Sequence, residues 1–283
     1  MKKDKTHIHW YPGHIAKAER RLKEQLSLVD AVIEVLDARI PLSSGYDNIA
    51  GLLNDKPRLI LFNKSDLADK TKLKTFAEKI EKSSGYPVIL SDAKNSKDLN
   101  QIVKKAVELS EPRIQAIMKK GLLRRPARVM VVGMPNVGKS SIINKLTRSS
   151  KTKTGAKAGV TRQQQWVRIN PQLELLDTPG IIPMKQEDQF RAKKLAFVNS
   201  VSENAYSNEI VAQELLELLS EKYPEIVKSY YKLEDDITLE NIAFSRNWIK
   251  SGGEADIERT SIYVLRDFRE GKIGKFVLDD LEE

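Results

Sequence analysis

Residues 129–141, which read Val-Met-Val-Val-Gly-Met-Pro-Asn-Val-Gly-Lys-Ser-Ser, constrain the fold more than any other stretch of the chain. An apolar, β-branched run ends at Gly133, and the residues from Gly133 to Ser140 match the pattern Gly-x-x-x-x-Gly-Lys-Ser. This pattern predicts a strand, a loop and the start of a helix whose backbone N–H groups bind phosphate. Lys139 is then expected to reach the β- and γ-phosphates, and the Ser140 hydroxyl to bind Mg²⁺. The alternative is a strand-turn-helix that contains Gly-Lys-Ser by chance.

The composition of the chain excludes several other kinds of chemistry. Of its 283 residues, 40% are hydrophobic, which is enough for the cores of two domains or one large one. There is no Cys, so disulfides, Cys-bound zinc and thiol catalysis are excluded. The basic N-terminus is not followed by an apolar segment, and no apolar run approaches the roughly 18 residues of a membrane span. We therefore expect a cytoplasmic protein that does not contact a membrane.

The positive charge of the chain is concentrated in two segments. The net charge is +9, and residues 113–128 and 148–168 each contain six Lys or Arg and no acid, whereas the end of the chain, residues 279–283, is acidic. Clustered cations favour a polyanionic partner, nucleic acid first. The alternative is that these charges only serve solubility.

Alternating strand and helix patterns surround the phosphate-binding pattern. The predicted strands cover residues 31–36, 58–62, 87–90, 165–169 and 173–176, and the helices between the first three and the phosphate-binding pattern cover residues 69–82 and 98–118. After residue 180 only helical spacing remains, with helices expected near residues 188–203, 210–219, 223–233, 239–250 and 255–270. We therefore predict an α/β domain over residues 1–180, with a doubly wound, mostly parallel sheet, and an all-α domain over residues 181–283.

Two polar tetrapeptides follow predicted strands, where a parallel sheet binds its ligands. The first, Asn-Lys-Ser-Asp, covers residues 63–66, and the second, Ser-Asp-Ala-Lys, covers residues 91–94. The Asp66 carboxylate can accept hydrogen bonds from the N1–H and the exocyclic amine of guanine, which adenine does not offer in that arrangement. Asn63 is expected to contact the base edge and the Lys64 stem to pack over the purine. Ser91 and Asp92 would line the base through their backbone.

Two further elements suit the γ-phosphate and its metal ion. Thr161 follows a segment rich in Ser, Thr, Lys and Gly, and residues 177–180 read Asp-Thr-Pro-Gly after a predicted strand. Asp177 would hold Mg²⁺ through water, Thr161 would close on the metal, and the Gly180 N–H would contact the γ-phosphate. Each motif is weak alone, but the set on successive strand ends strongly favours a guanine-nucleotide site.

The combination of these motifs resembles the TRAFAC-class GTPases. Those proteins usually run phosphate loop, threonine, Asp-x-x-Gly and then Asn-Lys-x-Asp, whereas here the base-reading motifs come first. That order is typical of circularly permuted GTPases, and among these the chain resembles the RbgA (YlqF) family of bacterial ribosome-assembly GTPases. The resemblance covers almost the whole chain, including Trp-Tyr-Pro-Gly-His at residues 10–14 and Asp-Ala-Arg-Ile-Pro at residues 37–41.

This resemblance implies a Ras-like fold with circularly permuted motif order, and GTP, GDP and Mg²⁺ as ligands. It also implies GTP hydrolysis coupled to maturation of the large ribosomal subunit, with the helical domain contacting ribosomal RNA. The residues nominated for nucleotide binding are Asn63, Lys64, Ser65, Asp66, Ser91, Asp92, Asn136, Val137, Gly138, Lys139, Ser140, Ser141 and Gly180. The metal ligands would be Ser140, Thr161 and Asp177.

The catalytic machinery departs from the common pattern. Many GTPases have Gln directly after Asp-x-x-Gly to orient the attacking water, but here that residue is Ile181. We therefore expect slow intrinsic hydrolysis. The resemblance nominates His14 to position the water on the ribosomal particle, with Lys139 and Thr161 as the other catalytic residues; a structural turn is the alternative role for His14. It also nominates Asn136 as a potassium ligand, the alternative being a plain loop residue.

Other functions remain as alternatives. An RNA-binding module with a regulatory, weakly hydrolysing nucleotide site would share the same motifs, whereas Asn63 and Asp66 disfavour an ATP-using enzyme. Loss of the γ-phosphate would release Thr161 and Gly180, and we expect this to shift the helical domain, because the switch segment after Asp177 leads directly into it. The three histidines have no acidic cluster at ligand spacing, so no protein-held metal site is predicted. Nothing indicates an obligate dimer, and we expect a monomer when free.

Overall fold

A computed structural model describes residues 15–46, 49–54, 56–92, 95–149, 165–177 and 188–281. These residues form two compact units. One contains residues 188–278. The other contains the preceding described residues together with 279–281, so after Leu278 the chain returns to the unit that contains those preceding residues. The predicted division after residue 180 stays a prediction.

The unit that contains the phosphate-binding pattern is an α/β structure. Its strands are β1 (Ala31–Asp37), β2 (Arg58–Asn63), β3 (Val88–Ser91), β4 (Ala127–Val132), β5 (Gln165–Asn170) and β6 (Leu173–Asp177). Its helices are α1 (Ile15–Leu26), α2 (Ile49–Leu53), α3 (Lys70–Ser84), α4 (Ser96–Lys119) and α5 (Lys139–Ser149).

The six strands form one sheet in the order β3-β2-β1-β4-β6-β5. All neighbours are parallel except β5 and β6, which are antiparallel. β1 and β2 are buried at every position, which explains why most of their residues are apolar. The polar exceptions are Glu34 and Asp37 in β1 and Arg58 and Asn63 in β2. The structure confirms the predicted doubly wound, mostly parallel sheet.

The registers of the sheet bring the predicted motifs to one edge. Asp37 at the end of β1 pairs with Asn63 at the end of β2, and Asn63 pairs with Ser91 at the end of β3. On the other side of β1, Val131 in β4 pairs with Asp177 at the end of β6. The carboxyl ends of β1, β2, β3 and β6 and the loop after β4 therefore lie side by side.

Local sequence signals explain where α3 begins and ends. Asp69 caps the helix by accepting hydrogen bonds from the Thr71 and Lys72 backbone N–H groups. Gly85 ends it with φ +72°, a left-handed conformation that glycine adopts without strain. The helix covers residues 70–84, close to the predicted 69–82.

The second unit is helical within its described residues. It contains α6 (Gln189–Phe197), α7 (Asn208–Lys222), α8 (Pro224–Tyr231), α9 (Leu239–Ser245) and α10 (Ile257–Arg269). α7 and α10 pack together and carry α6 and α9 on their sides. The helix predicted near residues 239–250 is shorter in the structure, because Asn247 adopts a left-handed conformation (φ +54°) and the chain turns towards a bridge between Ile249 and Ala255.

Candidate nucleotide-binding site

The phosphate-binding pattern lies where it was predicted, between β4 and α5. The Lys139 ammonium donates hydrogen bonds to the Gly133 and Met134 carbonyl oxygens at 2.8 and 2.6 Å. Its side chain is buried, whereas Ser140 in the first turn of α5 is exposed. The loop thus curls around the lysine and leads directly into a helix N-terminus, an arrangement that suits a bound anion.

Asn63 ties the end of β2 to this loop. Its side-chain Nδ2 donates to the Val137 carbonyl oxygen at 2.8 Å, and its Oδ1 accepts from the Ser91 hydroxyl at 3.3 Å. The fit is close, because a Cβ built on Gly138 would lie 2.2 Å from Asn63 Nδ2. Asn63 therefore joins both base-reading segments to the phosphate loop, and its contact with the base edge stays a prediction.

Lys64 makes a second bridge to the same loop. Its Nζ donates to the Asn136 carbonyl oxygen at 2.7 Å and to Asp37 Oδ2 at 2.9 Å. Both Lys64 and Asn136 have left-handed backbones, with φ of +61° and +59°. Non-glycine residues rarely adopt this conformation, so the surrounding contacts must hold it in place. Asn136 itself is exposed.

Asp37 is the buried anion of this cluster. Its carboxylate accepts from Arg39 Nε at 2.9 Å and from a terminal Arg39 nitrogen at 2.8 Å, in addition to Lys64. Burial raises the pKa of Asp37, but the charges of Arg39 and Lys64 and their hydrogen bonds lower it by more. The resulting pKa lies well below the usual range, so Asp37 is ionised and holds Lys64 electrostatically.

The remaining residues predicted to read the base lie at the ends of β2 and β3. Ser65 and Asp66 form a short 3-10 turn and are half-buried. The Asp92 backbone N–H donates to Asp98 Oδ2 at 2.9 Å, which fixes the turn after Ser91. Asp66 is two residues after Lys64 in the sequence. Both residues follow β2, at the same edge of the sheet as the phosphate loop.

The sequence of this chain is similar to those of known GTPases. The family model described as "50S ribosome-binding GTPase" matches residues 128–231. Proteins named ribosome biogenesis GTPase A match almost end to end. The Bacillus licheniformis protein is 38% identical over 98% of this chain and 99% of its own, and the Priestia megaterium protein is 40% identical over 98% of each. The Thermotoga maritima protein is 32% identical over 98% of this chain and 95% of its own. The chain belongs to the ribosome biogenesis GTPase A family.

Solved structures of YlqF are similar to this ribosome biogenesis GTPase. The GDP-bound form has a TM-score of 0.66 at 28% identity, covering 93% of this chain and 100% of that one. The GNP-bound form from Thermotoga maritima has a TM-score of 0.62 at 29% identity, covering 94% and 100%. Family membership confirms the predicted resemblance, and this family hydrolyses GTP in ribosome biogenesis.

Some predicted site residues fall outside what the structure describes. His14, Thr161, Gly180 and Ile181 lie outside the described residues, and for Asp177 only the backbone is described, at the end of β6. Ser141 is exposed in the first turn of α5, next to Ser140. The roles of these residues in this GTPase stay predictions. Within the described ranges no helix is long and apolar enough to cross a membrane.

Four of the six cations in residues 113–128 pair with acids. Arg113 and Arg125 both contact the buried Asp30, whose oxygens lie 3.2 and 2.7 Å from their nitrogens. In the same segment Arg124 pairs with Glu111, and Arg128 with Glu174, at 2.8 and 3.6 Å. These pairs fasten the join between α4 and β4, residues 120–126. The predicted polyanion-binding role of this segment therefore depends on fewer free charges than the sequence suggests.

Sequence reasoning missed two contributors to the site. The segment with Asp37 and Arg39 was noted as part of the family resemblance and given no role in the site, although an acid at the end of a buried, mostly apolar strand is a signal for a charged partner nearby. Asp279 lay in what the sequence showed only as an acidic chain end. Its contacts with the loop after β1 join residues far apart in sequence and leave no local pattern.

Proposed function

We propose that this ribosome biogenesis GTPase binds the precursor of the large ribosomal subunit and couples GTP hydrolysis to a late step of its assembly. The observation that carries the proposal is the pair of bridges from Asn63 and Lys64 to the phosphate loop. Through them, segments that would recognise a base and a loop that would hold phosphates form one connected site. A family model described as "50S ribosome-binding GTPase" supports the choice of particle.

The residues divide the work of nucleotide binding. Asp66 accepts the guanine N1–H and amine, the Lys64 stem covers the purine, and Ser91 and Asp92 line it. The N–H groups of residues 136–141 hold the phosphates, while Lys139 exchanges its carbonyl contacts for the β- and γ-phosphates. Thr161 would close on the metal ion while the γ-phosphate is present, the Gly180 N–H would contact that phosphate, and both would be released after hydrolysis.

The donors at the phosphate loop also fit Mg²⁺. Ser140 offers an exposed hydroxyl at the start of α5, and Asp177 ends the strand paired with β4, so the backbones of both residues lie at one edge of the sheet. Hydroxyl and carboxylate oxygens are the kind of ligand that Mg²⁺ prefers. When bound, Mg²⁺ neutralises charge that develops on the phosphates. Asn136, exposed at the tip of the loop, is the residue we propose for a potassium ion, and His14 is the residue we propose to orient the attacking water.

The helical unit carries a surface suited to RNA. The rings of Trp248 and Tyr263 lie 4.8 Å apart, and the exposed Arg259 guanidinium lies 5.9 and 5.8 Å from their centroids. Aromatic rings and arginine together stack on nucleobases and bind phosphate. We propose that this group contacts ribosomal RNA, and that the free protein is a cytoplasmic monomer.

The decisive experiment is GTP turnover by the purified protein alone, with mature large subunits, and with large-subunit precursors from cells depleted of the protein. We expect slow basal turnover that rises strongly with precursor particles in potassium buffer. Without particle stimulation, the proposed coupling to assembly would be wrong.

Variants separate the proposed roles. His14→Ala should keep GDP affinity but lose stimulation, and Arg259→Gln should weaken particle binding while basal turnover stays normal. Replacing potassium by sodium should lower turnover if Asn136 binds the ion. Glu258→Gln, at an exposed residue next to Arg259, is the matched control, and this variant should bind the particle and turn over GTP as the wild type does.

A further inference from the structure

The C-terminal segment docks onto the loop that follows β1. Asp279, the first residue after the helical unit, is 3% exposed. Its Oδ2 accepts the Leu42 and Ser43 backbone N–H groups at 2.7 and 2.9 Å, and its Oδ1 accepts the Ser43 hydroxyl at 2.6 Å. Lys79 on α3 also donates to the Leu281 carbonyl oxygen. A buried carboxylate with both oxygens bonded fixes its partner loop strongly.

The loop that Asp279 holds leads to the nucleotide site. Directly after Ser43, the Ser44 hydroxyl accepts the Asp37 backbone N–H at 3.0 Å, and the Ser44 N–H donates to the Ile40 carbonyl oxygen at 2.9 Å. The Asp37 carboxylate then holds Lys64, and Lys64 contacts the Asn136 carbonyl oxygen of the phosphate loop. An unbroken set of contacts thus runs from the end of the chain to the phosphate loop.

We propose that Asp279 is a positioning residue of the GTPase site: by holding the loop 41–44 it keeps Asp37 and Lys64 placed for guanine nucleotide. This step rests on the proposed contact between Lys64 and the purine. Because coupling between two equilibria is reciprocal, bound nucleotide must strengthen the docking of residues 279–281 by the same factor. No nucleotide-binding motif includes this end of the chain.

The two residues before Asp279 are held within the helical unit. Immediately before Asp279, Leu278 is fully buried, its carbonyl oxygen accepts from Lys222, and the Val277 carbonyl oxygen accepts from the Tyr223 hydroxyl at 2.9 Å. Consecutive residues are therefore fixed in different units. Release of Asp279 would free the loop 41–44, which lies in the same unit.

The first test is GDP affinity, measured by titration with a fluorescent GDP analogue. We expect Asp279→Ala to bind GDP about five- to tenfold more weakly, within the usual range of coupling between sites. Asp279→Asn should lie between it and wild type, because the amide oxygen can still accept the Leu42 and Ser43 N–H groups. Asp235→Asn, which removes an exposed carboxylate charge, is the control and should bind as wild type.

The second test separates positioning from a purely structural role. If Asp279 acts through Lys64, then Asp279→Ala should weaken GDP binding much less in a Lys64→Ala background than in wild type. Amide exchange should show the Leu42 and Ser43 N–H groups better protected with GDP than without, and this gain should vanish in Asp279→Ala.

The outcomes are distinct. A wild-type protein that does not bind GDP would refute the nucleotide site itself. Normal wild-type binding with unchanged affinity in Asp279→Ala would refute only the positioning role, even if the melting temperature fell. Additive effects of the Asp279 and Lys64 changes would refute it as well.

Discussion

Replacing Asp37 by asparagine tests the buried cluster beneath the nucleotide site. Asn has the shape of Asp but no charge, so the change removes the carboxylate that pairs with Arg39, which is 2% exposed, and weakens the hold on Lys64. Removing one partner of a buried ion pair costs about 3–5 kcal/mol because the other charge remains desolvated. We expect Asp37→Asn to lower the free energy of unfolding by about 3 kcal/mol, near the lower limit, since its amide oxygen still accepts one hydrogen bond.

Urea-induced unfolding, followed by circular dichroism at neutral pH, measures this loss. The double variant Asp37→Asn/Arg39→Met provides the internal control, because removing both charges should cost less than the single change plus the cost of Arg39→Met. The pKa of Asp37 is depressed in the folded state, so its contribution is present above about pH 4 and is lost as the pH falls further. Asp37→Asn should lack that part of the acid sensitivity. A loss of unfolding free energy below about 1 kcal/mol would refute the reasoning that Asp37 and Arg39 form a desolvated ion pair in which each charge needs the other.

Three further changes have equally specific outcomes. Gly138→Ala forces a Cβ to 2.2 Å from Asn63 Nδ2, so GDP affinity should fall steeply; Gly85→Ala, at another positive φ with open space around it, should leave GDP affinity unchanged. Burial raises the pKa of Glu34 to about 6, and Arg58 opposes this shift, so the folded state binds the extra proton between pH 4.5 and 6. Stability should therefore fall by about 2 kcal/mol as the pH rises through that window, and Glu34→Gln should flatten the slope seen by urea unfolding. Asp66→Asn should shift preference from guanosine to xanthosine nucleotides in a competition assay; an unchanged preference would remove Asp66 from base recognition.

The sheet and the motifs could be predicted from the sequence because their signals are local. A run of apolar residues ending in Asn-Lys-Ser-Asp or Gly-x-x-x-x-Gly-Lys-Ser indicates both a buried strand and the kind of loop at its carboxyl end. The order of strands also agrees with a family whose motif order is permuted. The side chains that connect the motifs could not be predicted. Asn63 and Val137 lie 74 positions apart, and no periodicity links them.

The charge pattern was the least reliable guide. The segment 113–128 contains no acid, yet Asp30, Glu111 and Glu174 reach its arginines from other elements. Counting charges along the chain therefore overstates what a surface offers to an anion, because folding brings counter-ions from far away. Asp279, in the acidic segment 279–283, is likewise not a solvated surface charge, since the residue is buried.

The segment that connects α4 to β4 illustrates how the nucleotide site depends on the order of strands in the sheet and not on the order of motifs along the chain. α4 packs directly against β4, so a short stretch, residues 120–126, suffices to connect them, and Leu122 and Leu123 within it are exposed. If the present ends were joined and the chain were opened at residues 120–126, it would begin with β4 and the phosphate loop and end with α4. Every strand would keep its neighbours in the sheet. Evolution can therefore move the chain ends of such a protein without rebuilding its site. The position of the chain ends then determines which loop leads into an additional domain. Here the continued segment is the one after Asp177, the segment expected to respond to the γ-phosphate.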